Sequence, residues 1–391
     1  MWSSFMNLLE GNQPEERRDD STTSSYAATQ WFSSLLGKDD QPKESEESRA
    51  IQSKFKSRID EYAEKKDVSV VVATWNVASA VPRSVKTISS WLNIEEKEAD
   101  IYVVTLQEID MTASSLWYEE TERGSEWIGM LNSVFKSKSR KNQYICLRVH
   151  QLSGLFGAVF IKNKHKEHIA NLKSHVQRVG FMGVVGNKGA IAFRFRLYFT
   201  WFCFVVAHMT AHVEQLSRRN QDYQDIMQGC RFQGAGPNTP LEHDVCIFGG
   251  DLNYRMVKSY EEICDAIDKH DLNYLYRNDQ LQLEMKNMGA FWEFKEPAIN
   301  FLPTYRFETG TEIYDQSEKK RIPSYTDRIL YRCDDAVANV NCLEYKCGHT
   351  TFISDHKYVT ALFEVSARVE NREKARKVYD EVCCEYDSNK Y

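Results

Sequence analysis

Short runs of β-branched and aromatic residues, each bounded by polar turn residues, recur along the chain from residue 68 onward. Runs of this length and composition predict β-strands. Eight such runs lie at residues 68–74, 101–106, 157–161, 190–196, 201–207, 244–248, 328–332 and 359–365. Between them, hydrophobic residues at helical spacing predict helices at residues 85–92, 126–135, 217–227 and 259–270. This arrangement predicts an α+β fold, with two β-sheets packed face to face as a sandwich and helices on the outer faces.

Residues 1–66 lack this pattern and are rich in Ser, Glu, Asp, Lys and Gln. Such a segment buries too little apolar surface to offset the entropy lost on ordering, so we expect it to be largely disordered. Two short Trp/Leu clusters, at residues 2–9 and 31–36, interrupt it. The sequence leaves three interpretations of these clusters open. They are hydrophobic residues present by chance, segments that dock into a partner protein, or contacts with a membrane surface.

The remainder of the chain divides into two parts. A catalytic domain is expected at residues 67–367, and a charged helix and tail at residues 368–391. Within the second part, residues 370–378 have the pattern of a helix that then frays. Cys383 and Cys384 follow as adjacent thiols that need no function, with acylation of the pair as the alternative.

The composition is that of an ordinary soluble globular protein, with 42% hydrophobic and 27% charged residues among 391. A net charge of −6 argues against a nucleic-acid-binding protein, which would need a broad basic surface. The longest apolar stretch, residues 197–207, is shorter than the ~18 residues that span a membrane as a helix. The N-terminus does not resemble a secretory signal, and the ten cysteines lack zinc-binding spacing. We therefore expect a cytoplasmic monomer that associates transiently with membranes as a peripheral protein.

Polar side chains directly follow several predicted strands, where sheet enzymes present catalytic groups on loops held by a rigid scaffold. Any one such residue is more often a turn or cap residue. Together they supply oxygen ligands for Mg²⁺, a general base and an imidazole that can donate a proton. The residues are Asn76, Glu108, His208, His212, Asp251, Asn253, Asp355 and His356.

Two further regions suit a phosphate-bearing ligand. Glycines beside Asn187 and Lys188 let the backbone approach an anion, and the alternative is a tight entry into the following strand. A second region combines basic and aromatic residues that could surround a phosphate with charge-assisted hydrogen bonds. A Lys-Lys-Arg run is usually a solvated face, but here it lies between two predicted strands of the core domain, which favours ligand binding. The residues of this region are Tyr305, Arg306, Lys319, Lys320 and Arg321.

Over residues 68–366 the chain resembles the inositol polyphosphate 5-phosphatase family, of the DNase-I-like endonuclease/exonuclease/phosphatase fold. The most specific motifs are Phe-Gly-Gly-Asp-Leu-Asn-Tyr-Arg at residues 248–255, Pro-Thr-Tyr-Arg-Phe at 303–307, the segment 317–330, and Ser-Asp-His-Lys at 354–357. The resemblance implies an Mg²⁺-dependent phosphomonoesterase. Its substrates would be phosphoinositides such as phosphatidylinositol 4,5-bisphosphate or 3,4,5-trisphosphate, soluble inositol phosphates, or both, with direct attack by water on the 5-phosphate.

The resemblance also implies a role for each polar residue at the strand ends. Asn76 and Glu108 would hold Mg²⁺, with Glu108 as the principal ligand. Asp251 would activate water, and Asn253 would contact the scissile phosphate. His356, paired with Asp327, would support the phosphate or the leaving oxygen. Asp355 would belong to the metal-side network, and His208 and His212 would contact phosphate.

By the same mapping, the other phosphates of the substrate have their own contacts. The 4-phosphate would be read by Tyr305, Arg306, Lys319 and Arg321, and the 1-phosphate by Asn187 and Lys188. Lys319 and Arg321 lie two positions apart on a segment that we expect to be extended. Their side chains would then point to the same side and bind one phosphate together.

The chain departs from the family pattern at three places. Residues 207–212 read Ala-His-Met-Thr-Ala-His where the family usually has Ser-His and Leu-Ala-Ala-His. Residues 323–328 read Pro-Ser-Tyr-Thr-Asp-Arg where Pro-Ala-Trp-Cys-Asp-Arg is usual, and Tyr358 stands where Pro is usual. None of these changes removes a charged or metal-binding group, so we still expect enzymatic activity. The changes leave the substrate preference open.

Two other functions compete with this interpretation. The first is a phosphodiesterase of the same fold, such as a nuclease, deadenylase or sphingomyelinase, which the net acidity and the Lys319 and Arg321 pair disfavour. The second is a catalytically silent adaptor that binds lipid and recruits a partner protein through the Trp/Leu clusters. The intact set of candidate catalytic residues argues against a protein that lacks catalytic activity.

Overall fold

The structure is a computed structural model of the chain. It describes residues 46–81, 84–112, 121–136, 143–179, 187–335, 337–348 and 353–388. Both Trp/Leu clusters lie outside the described residues. From Glu47 onward the chain forms a single compact unit. No helix in the described part of the chain is both long and apolar enough to cross a membrane.

The strands, in chain order, are β1 (Ala63–Asn76), β2 (Ile101–Gln107), β3 (Tyr144–Leu152), β4 (Leu155–Lys162), β5 (Ile169–Arg178), β6 (Gly189–Leu197), β7 (Thr200–His208), β8 (Val245–Asp251), β9 (Asp327–Cys333), β10 (Asn339–Cys347) and β11 (Val359–Glu370). The α-helices are α1 (Glu46–Ser57), α2 (Ile59–Tyr62), α3 (Val85–Leu92), α4 (Glu122–Phe135), α5 (Leu216–Gly229), α6 (Tyr260–Asp268), α7 (Leu272–Arg277), α8 (Gln280–Lys286) and α9 (Arg372–Ser388). Short 3₁₀ helices occupy Asn163–His168 and Pro240–Glu242.

These strands form two mixed sheets. The first has the order β10-β11-β1-β2-β4-β3, and the second has the order β5-β6-β7-β8-β9. One hydrophobic cluster joins residues of both sheets, including Val72 and Val159 of the first and Phe193, Val206 and Ile247 of the second. Every residue of β2 and β8 is buried. Burial on both faces is expected where a second sheet covers one face and helices cover the other, so the predicted α+β sandwich is confirmed.

All eight predicted strands are present, and the strands that the sequence pattern missed share one position in the sheets. The edge strands β3 and β10 flank the first sheet, and β5 is an edge of the second. Most of their residues are exposed or half-buried. Edge strands face solvent and lack the continuous apolar runs that identify central strands. The short helices α7 and α8 were also not predicted.

The expected disorder up to residue 66 is wrong for residues 46–66, which form α1, α2 and the start of β1. Phe55 of α1 is 1% exposed and stacks on Tyr62, with ring centroids 4.4 Å apart. It also contacts the ring of Tyr379 in α9. The domain therefore begins near Glu47, and its first helix packs against its last.

Helix α9 continues to Ser388, so the expected fraying after residue 378 is also wrong. Ala375, Val378 and Val382 are buried along one side of this helix. An ion pair between Arg58 and Glu381, 2.6 Å apart, joins the helix to the start of the domain. The three apolar positions are too sparse within a charged sequence to reveal this packing in advance.

The parallel strand pairs bring the candidate catalytic residues to one edge of the sandwich. In the first sheet Asn76 at the end of β1 pairs with Gln107 at the end of β2, and in the second His208 at the end of β7 pairs with Asp251 at the end of β8. Gly250 adopts φ 140°, and a Cβ added there would lie 2.0 Å from the carbonyl oxygen of Ala207. Only glycine therefore allows β8 to approach β7 at this point.

We predict that Gly250→Ala destabilises the fold by at least about 1–3 kcal/mol, because the added methyl group forces the strand ends apart. Gly249→Ala is the matched control, since its Cβ would meet no atom closer than 3.3 Å. Urea unfolding of both variants measures the difference. Equal losses of unfolding free energy would contradict this role of Gly250 at the strand junction.

Candidate active site

The Asp251 carboxylate lies at the centre of the polar residues on this edge. Asp251 is 1% exposed, and its Oδ2 accepts a hydrogen bond from Asn76 Nδ2 at 3.0 Å. Its Oδ1 accepts from the backbone N–H of Asn253 at 3.1 Å. Burial opposes ionisation of Asp251, but hydrogen bonding to His208 and the charges of His208, His356 and Lys188 hold its pKa well below the usual range. Asp251 is therefore a carboxylate at neutral pH.

His208 connects Asp251 to two further charged residues. Its Nε2 lies 3.4 Å from Asp251 Oδ2 and 3.8 Å from Glu108 Oε1, and the Lys188 ammonium contacts the same nitrogen. Burial, and then the charge of Lys188, lower the pKa of His208. Burial also lowers the pKa of Lys188.

The structure thus places Lys188 in the catalytic cluster. The side chain of its neighbour Asn187 instead lies near Met111, with Nδ2 3.8 Å from the sulfur. A joint contact of Asn187 and Lys188 with a 1-phosphate remains a prediction. His212 is exposed, and no hydrogen bond or ion pair among the described residues joins its side chain to the cluster.

His356 and Asp327 form the predicted pair. His356 Nδ1 lies 2.9 Å from Asp327 Oδ2, and the hydroxyl groups of Thr304 and Thr326 donate to the same oxygen at 2.8 and 2.9 Å. Burial lowers the pKa of His356, but the charge and hydrogen bond of Asp327 outweigh this effect and raise it to about 10. His356 is an imidazolium at neutral pH and can donate a proton or stabilise negative charge.

Asp355 forms an ion pair beside the catalytic cluster. Its Oδ2 lies 2.6 Å from Arg306 Nη1, so the structure places it in an ion pair with Arg306. The place of Asp355 in the metal-side network, which the resemblance implies, remains a prediction. The pair connects the loop that carries His356 to the segment that was expected to bind the 4-phosphate.

The residues expected at the 4-phosphate lie in three places. Tyr305 packs its ring against His356, with centroids 4.6 Å apart. Arg306 Nε and Arg321 Nη1 both approach Asp315 Oδ2, at 4.0 and 3.5 Å. Asp315 therefore holds these two guanidinium groups near each other.

The expectation of an extended segment at Lys319 and Arg321 is wrong. A turn forms there instead, in which the N–H of Lys320 donates to the carbonyl oxygen of Ser317 at 2.9 Å. Lys320 has φ 38°, and Lys319 is exposed in the turn. The turn arises because Asp315 accepts hydrogen bonds from the backbone N–H groups of Ser317 and Arg321, at 3.0 and 3.2 Å.

The oxygen atoms around Asp251 fit a hard divalent cation. Asn76 Oδ1 accepts one hydrogen bond, from the backbone N–H of Ala78 at 3.1 Å, and keeps a second lone pair. The Glu108 side chain is 29% exposed, so its carboxylate is accessible at the edge of the cluster. A carboxylate and an amide oxygen are the ligand types that Mg²⁺ prefers. Asp251, Asp327 and His356 also place potential ligand atoms within 4.8 Å of one another, but the hydrogen bond and protonation of His356 favour proton transfer over metal binding there.

Sequence reasoning missed three residues of the site. Arg255 ends the motif at residues 248–255, and its Nη2 donates to Asn253 Oδ1 at 2.5 Å. Thr326 occupies the position where the family usually has Cys. This departure from the family pattern was the one sequence feature that pointed to Thr326. Asp315 lies in a polar loop, and nothing in the sequence distinguishes it from other loop carboxylates.

Comparison with known proteins agrees with this fold. Residues 73–362 match the model of endonuclease/exonuclease/phosphatase family 2. The chain is 33% identical over 316 residues to the type II inositol 1,4,5-trisphosphate 5-phosphatase of Mus musculus, a match covering 80% of this chain and 31% of that protein. It is also 33% identical to the phosphatidylinositol 4,5-bisphosphate 5-phosphatase INP51 of Saccharomyces cerevisiae, over 80% of this chain and 33% of that protein. The chain spans about a third of the length of these curated relatives.

A solved structure supports the same assignment. The inositol polyphosphate 5-phosphatase domain of SPsynaptojanin, in complex with inositol (1,4)-bisphosphate and a calcium ion, superposes with a TM-score of 0.75 at 32% identity. The match covers 89% of this chain and 98% of that domain. Cimex nitrophorin, at 21% identity and a TM-score of 0.61, shares the fold alone. The chain belongs to the inositol polyphosphate 5-phosphatase family, whose members are phosphoric monoester hydrolases, and the resemblance found in the sequence is confirmed.

We predict that His356 titrates near pH 10, far above its ordinary pKa of 6.5. A raised pKa in the folded state means that protonation stabilises the fold fully below pH 6.5, and that this stability is lost as the pH rises through about 10. Asp327→Asn removes the partner charge, so the pKa of His356 should fall. Ring resonances of labelled histidine followed against pH measure both values. Titration of His356 near pH 6.5 in the unsubstituted protein would contradict the assignment.

Proposed function

We propose that this protein is a divalent-metal-dependent phosphomonoesterase, with Mg²⁺ as the preferred ion, that removes the 5-phosphate from inositol compounds. The observation that carries the proposal is the close placement of a buried carboxylate, Asp251, and a buried imidazolium, His356. An ionised acceptor and a protonated donor are what hydrolysis of a phosphomonoester needs in one site. Relatives named for inositol 1,4,5-trisphosphate and phosphatidylinositol 4,5-bisphosphate support both soluble and lipid substrates.

Each residue of the site has its own role in the direct attack of water on the phosphate. Asp251 accepts the proton of the attacking water and orients it. His356, held by Asp327, stabilises the phosphoryl group and supplies a proton to the leaving inositol oxygen. Asn253 donates a hydrogen bond to a phosphoryl oxygen. A divalent ion held by Glu108 and Asn76 would neutralise charge on the phosphoryl oxygens.

The guanidinium groups held by Asp315 favour a substrate with a phosphate beside the reacting one. Arg306 and Arg321 converge on Asp315, and Tyr305 lies against His356. A second phosphate bound by these groups would fix the inositol ring relative to the catalytic cluster. Phosphatidylinositol 4,5-bisphosphate and 3,4,5-trisphosphate, and soluble inositol phosphates with a 4-phosphate, share this feature.

The location and partners of the protein belong to the same proposal. We propose a cytoplasmic monomer that reaches lipid substrates by transient peripheral contact, on the basis of its composition. A partner protein that binds the Trp/Leu clusters of residues 2–9 and 31–36 also remains a hypothesis. No observation among the described residues favours a nuclease, deadenylase, sphingomyelinase or silent adaptor over the phosphatase.

Asp251→Asn should reduce turnover about 10²- to 10⁴-fold, because the amide cannot accept the proton of water. Phosphate release from a panel of inositol lipids and soluble inositol phosphates, with Mg²⁺ and with chelator, measures the effect. Asp265→Asn is the matched control, since Asp265 is exposed on α6 and pairs with Lys269. Near-normal turnover of folded Asp251→Asn protein would overturn the assignment of Asp251 as the general base. Phosphate release by the wild-type protein that chelator does not reduce would overturn the assignment of metal dependence.

Lys319→Ala and Arg321→Ala should each lower kcat/KM about ten- to hundredfold on substrates that carry a 4-phosphate, because each removes a charge-assisted bond. A matched substrate without that phosphate should lose little. Lys320→Ala provides a control in the same turn, since Lys320 faces Glu261 at 3.5 Å. Equal losses on both substrates would remove the claim that these residues read the 4-phosphate.

A further inference from the structure

The orientation of the Asn253 amide decides whether this residue helps or hinders a phosphate. The side-chain amide has a donor end, NH₂, and an acceptor end, oxygen, which occupy nearly the same volume. An NH₂ group that faces a phosphoryl oxygen forms a hydrogen bond, whereas an oxygen in that place repels it. A site that uses Asn253 therefore needs a device that fixes the amide in one orientation.

The contacts of Asn253 provide such a device. Its Oδ1 accepts from Arg255 Nη2 at 2.5 Å, and its Nδ2 donates to the carbonyl oxygen of Met209 at 3.0 Å. A guanidinium can only donate and a backbone carbonyl can only accept, so the reversed amide would lose both hydrogen bonds. One proton of Nδ2 is used by Met209, and the second remains available to a ligand.

Arg255 is one of the buried arginines of the domain, and its side chain has few partners. It is 6% exposed, and among the described residues no carboxylate pairs with it. Arg328, by contrast, pairs with Asp279 at 2.8 Å and also with Glu296. Within the described part of the chain, buried Arg194 and Arg219 likewise bind backbone carbonyl oxygens and no carboxylate, so the role of Arg255 follows from its own contacts and not from the missing ion pair.

The neutral contacts of Arg255 show where it acts. Both of its described side-chain hydrogen bonds go to Asn253, at Oδ1 and at the backbone carbonyl, the latter at 3.1 Å. Its guanidinium lies 4.4 Å from the ring centroid of Tyr305, which itself packs against His356. Buried Arg219 instead donates to backbone carbonyls of three residues and so secures a loop. Arg255 is thus directed at one active-site side chain.

We propose that Arg255 is a positioning residue that fixes the Asn253 amide with its NH₂ group, and not its oxygen, toward the scissile phosphoryl group. This inference rests on the proposed function. The backbone N–H of Arg255 donates to Gln280 Oε1 at 2.9 Å, and this contact persists when the side chain is changed. Substitution of Arg255 therefore tests its side chain without removing that anchor of the loop.

A double-mutant cycle distinguishes positioning from a general structural role. Arg255→Met should lower kcat about ten- to hundredfold with little change in KM, and Arg255→Lys, which keeps a donor, should lose less. In protein that already carries Asn253→Ala, the further change Arg255→Met should cost less than about twofold, because the side chain it orients is gone. Arg231→Met, at an exposed arginine, is the control and should leave kcat unchanged.

The same loss in both backgrounds would show that Arg255 does not act through Asn253 and would overturn the inference. A second measurement does not depend on activity. The side-chain amide proton of Asn253 that binds Met209, identified by its disappearance in Asn253→Ala, should exchange slowly with solvent in the unsubstituted protein and faster in Arg255→Met. If the unsubstituted protein releases no phosphate from any inositol phosphate, the proposed function fails, and unchanged amide exchange in Arg255→Met would separately overturn the inference on Arg255.

Discussion

The hydrogen bond between Asn76 and Asp251 joins the two sheets at the point where the chemistry takes place. Asn76 ends a strand of the first sheet and Asp251 ends a strand of the second, and their side chains meet at 3.0 Å. A buried carboxylate is stable only when hydrogen bonds and positive charge compensate its lost hydration. Here the compensation comes from Asn76, His208 and the backbone of Asn253, so the packing of the sandwich and the ionisation of Asp251 depend on each other.

A second buried charge network supports the other half of the site. Arg328 follows Asp327 directly and pairs with Asp279 and Glu296, and all three side chains are at most 1% exposed. Removing one partner of such a network typically costs about 3–5 kcal/mol, because an uncompensated charge remains buried. The network secures the start of β9, which places Asp327 against His356. The ionised side chains of this structural network and those of the catalytic cluster therefore lie side by side, and each group has its own partners.

Local sequence patterns predicted the central strands and the polar residues at their ends. Central strands are buried on both faces and so have continuous apolar runs, which revealed β1, β2 and β8. Edge strands such as β5 lack such runs, and α9 is mostly charged, so long-range packing decides these elements. Residue identity also could not show that Asp315 forms a turn at Lys319, or that Asp355 pairs with Arg306. Those contacts join segments that are distant in the chain or depend on loop geometry.

The proposed function requires this edge of the sandwich to direct water to the phosphorus of a 5-phosphate. ³¹P NMR of inositol 1,4,5-trisphosphate incubated with the protein and Mg²⁺ in ¹⁸O-enriched water tests this requirement most directly. We expect only the 5-phosphate resonance to disappear and the released inorganic phosphate to carry one solvent-derived ¹⁸O. Loss of the 1- or 4-phosphate first, or released phosphate without the label, would contradict the claim.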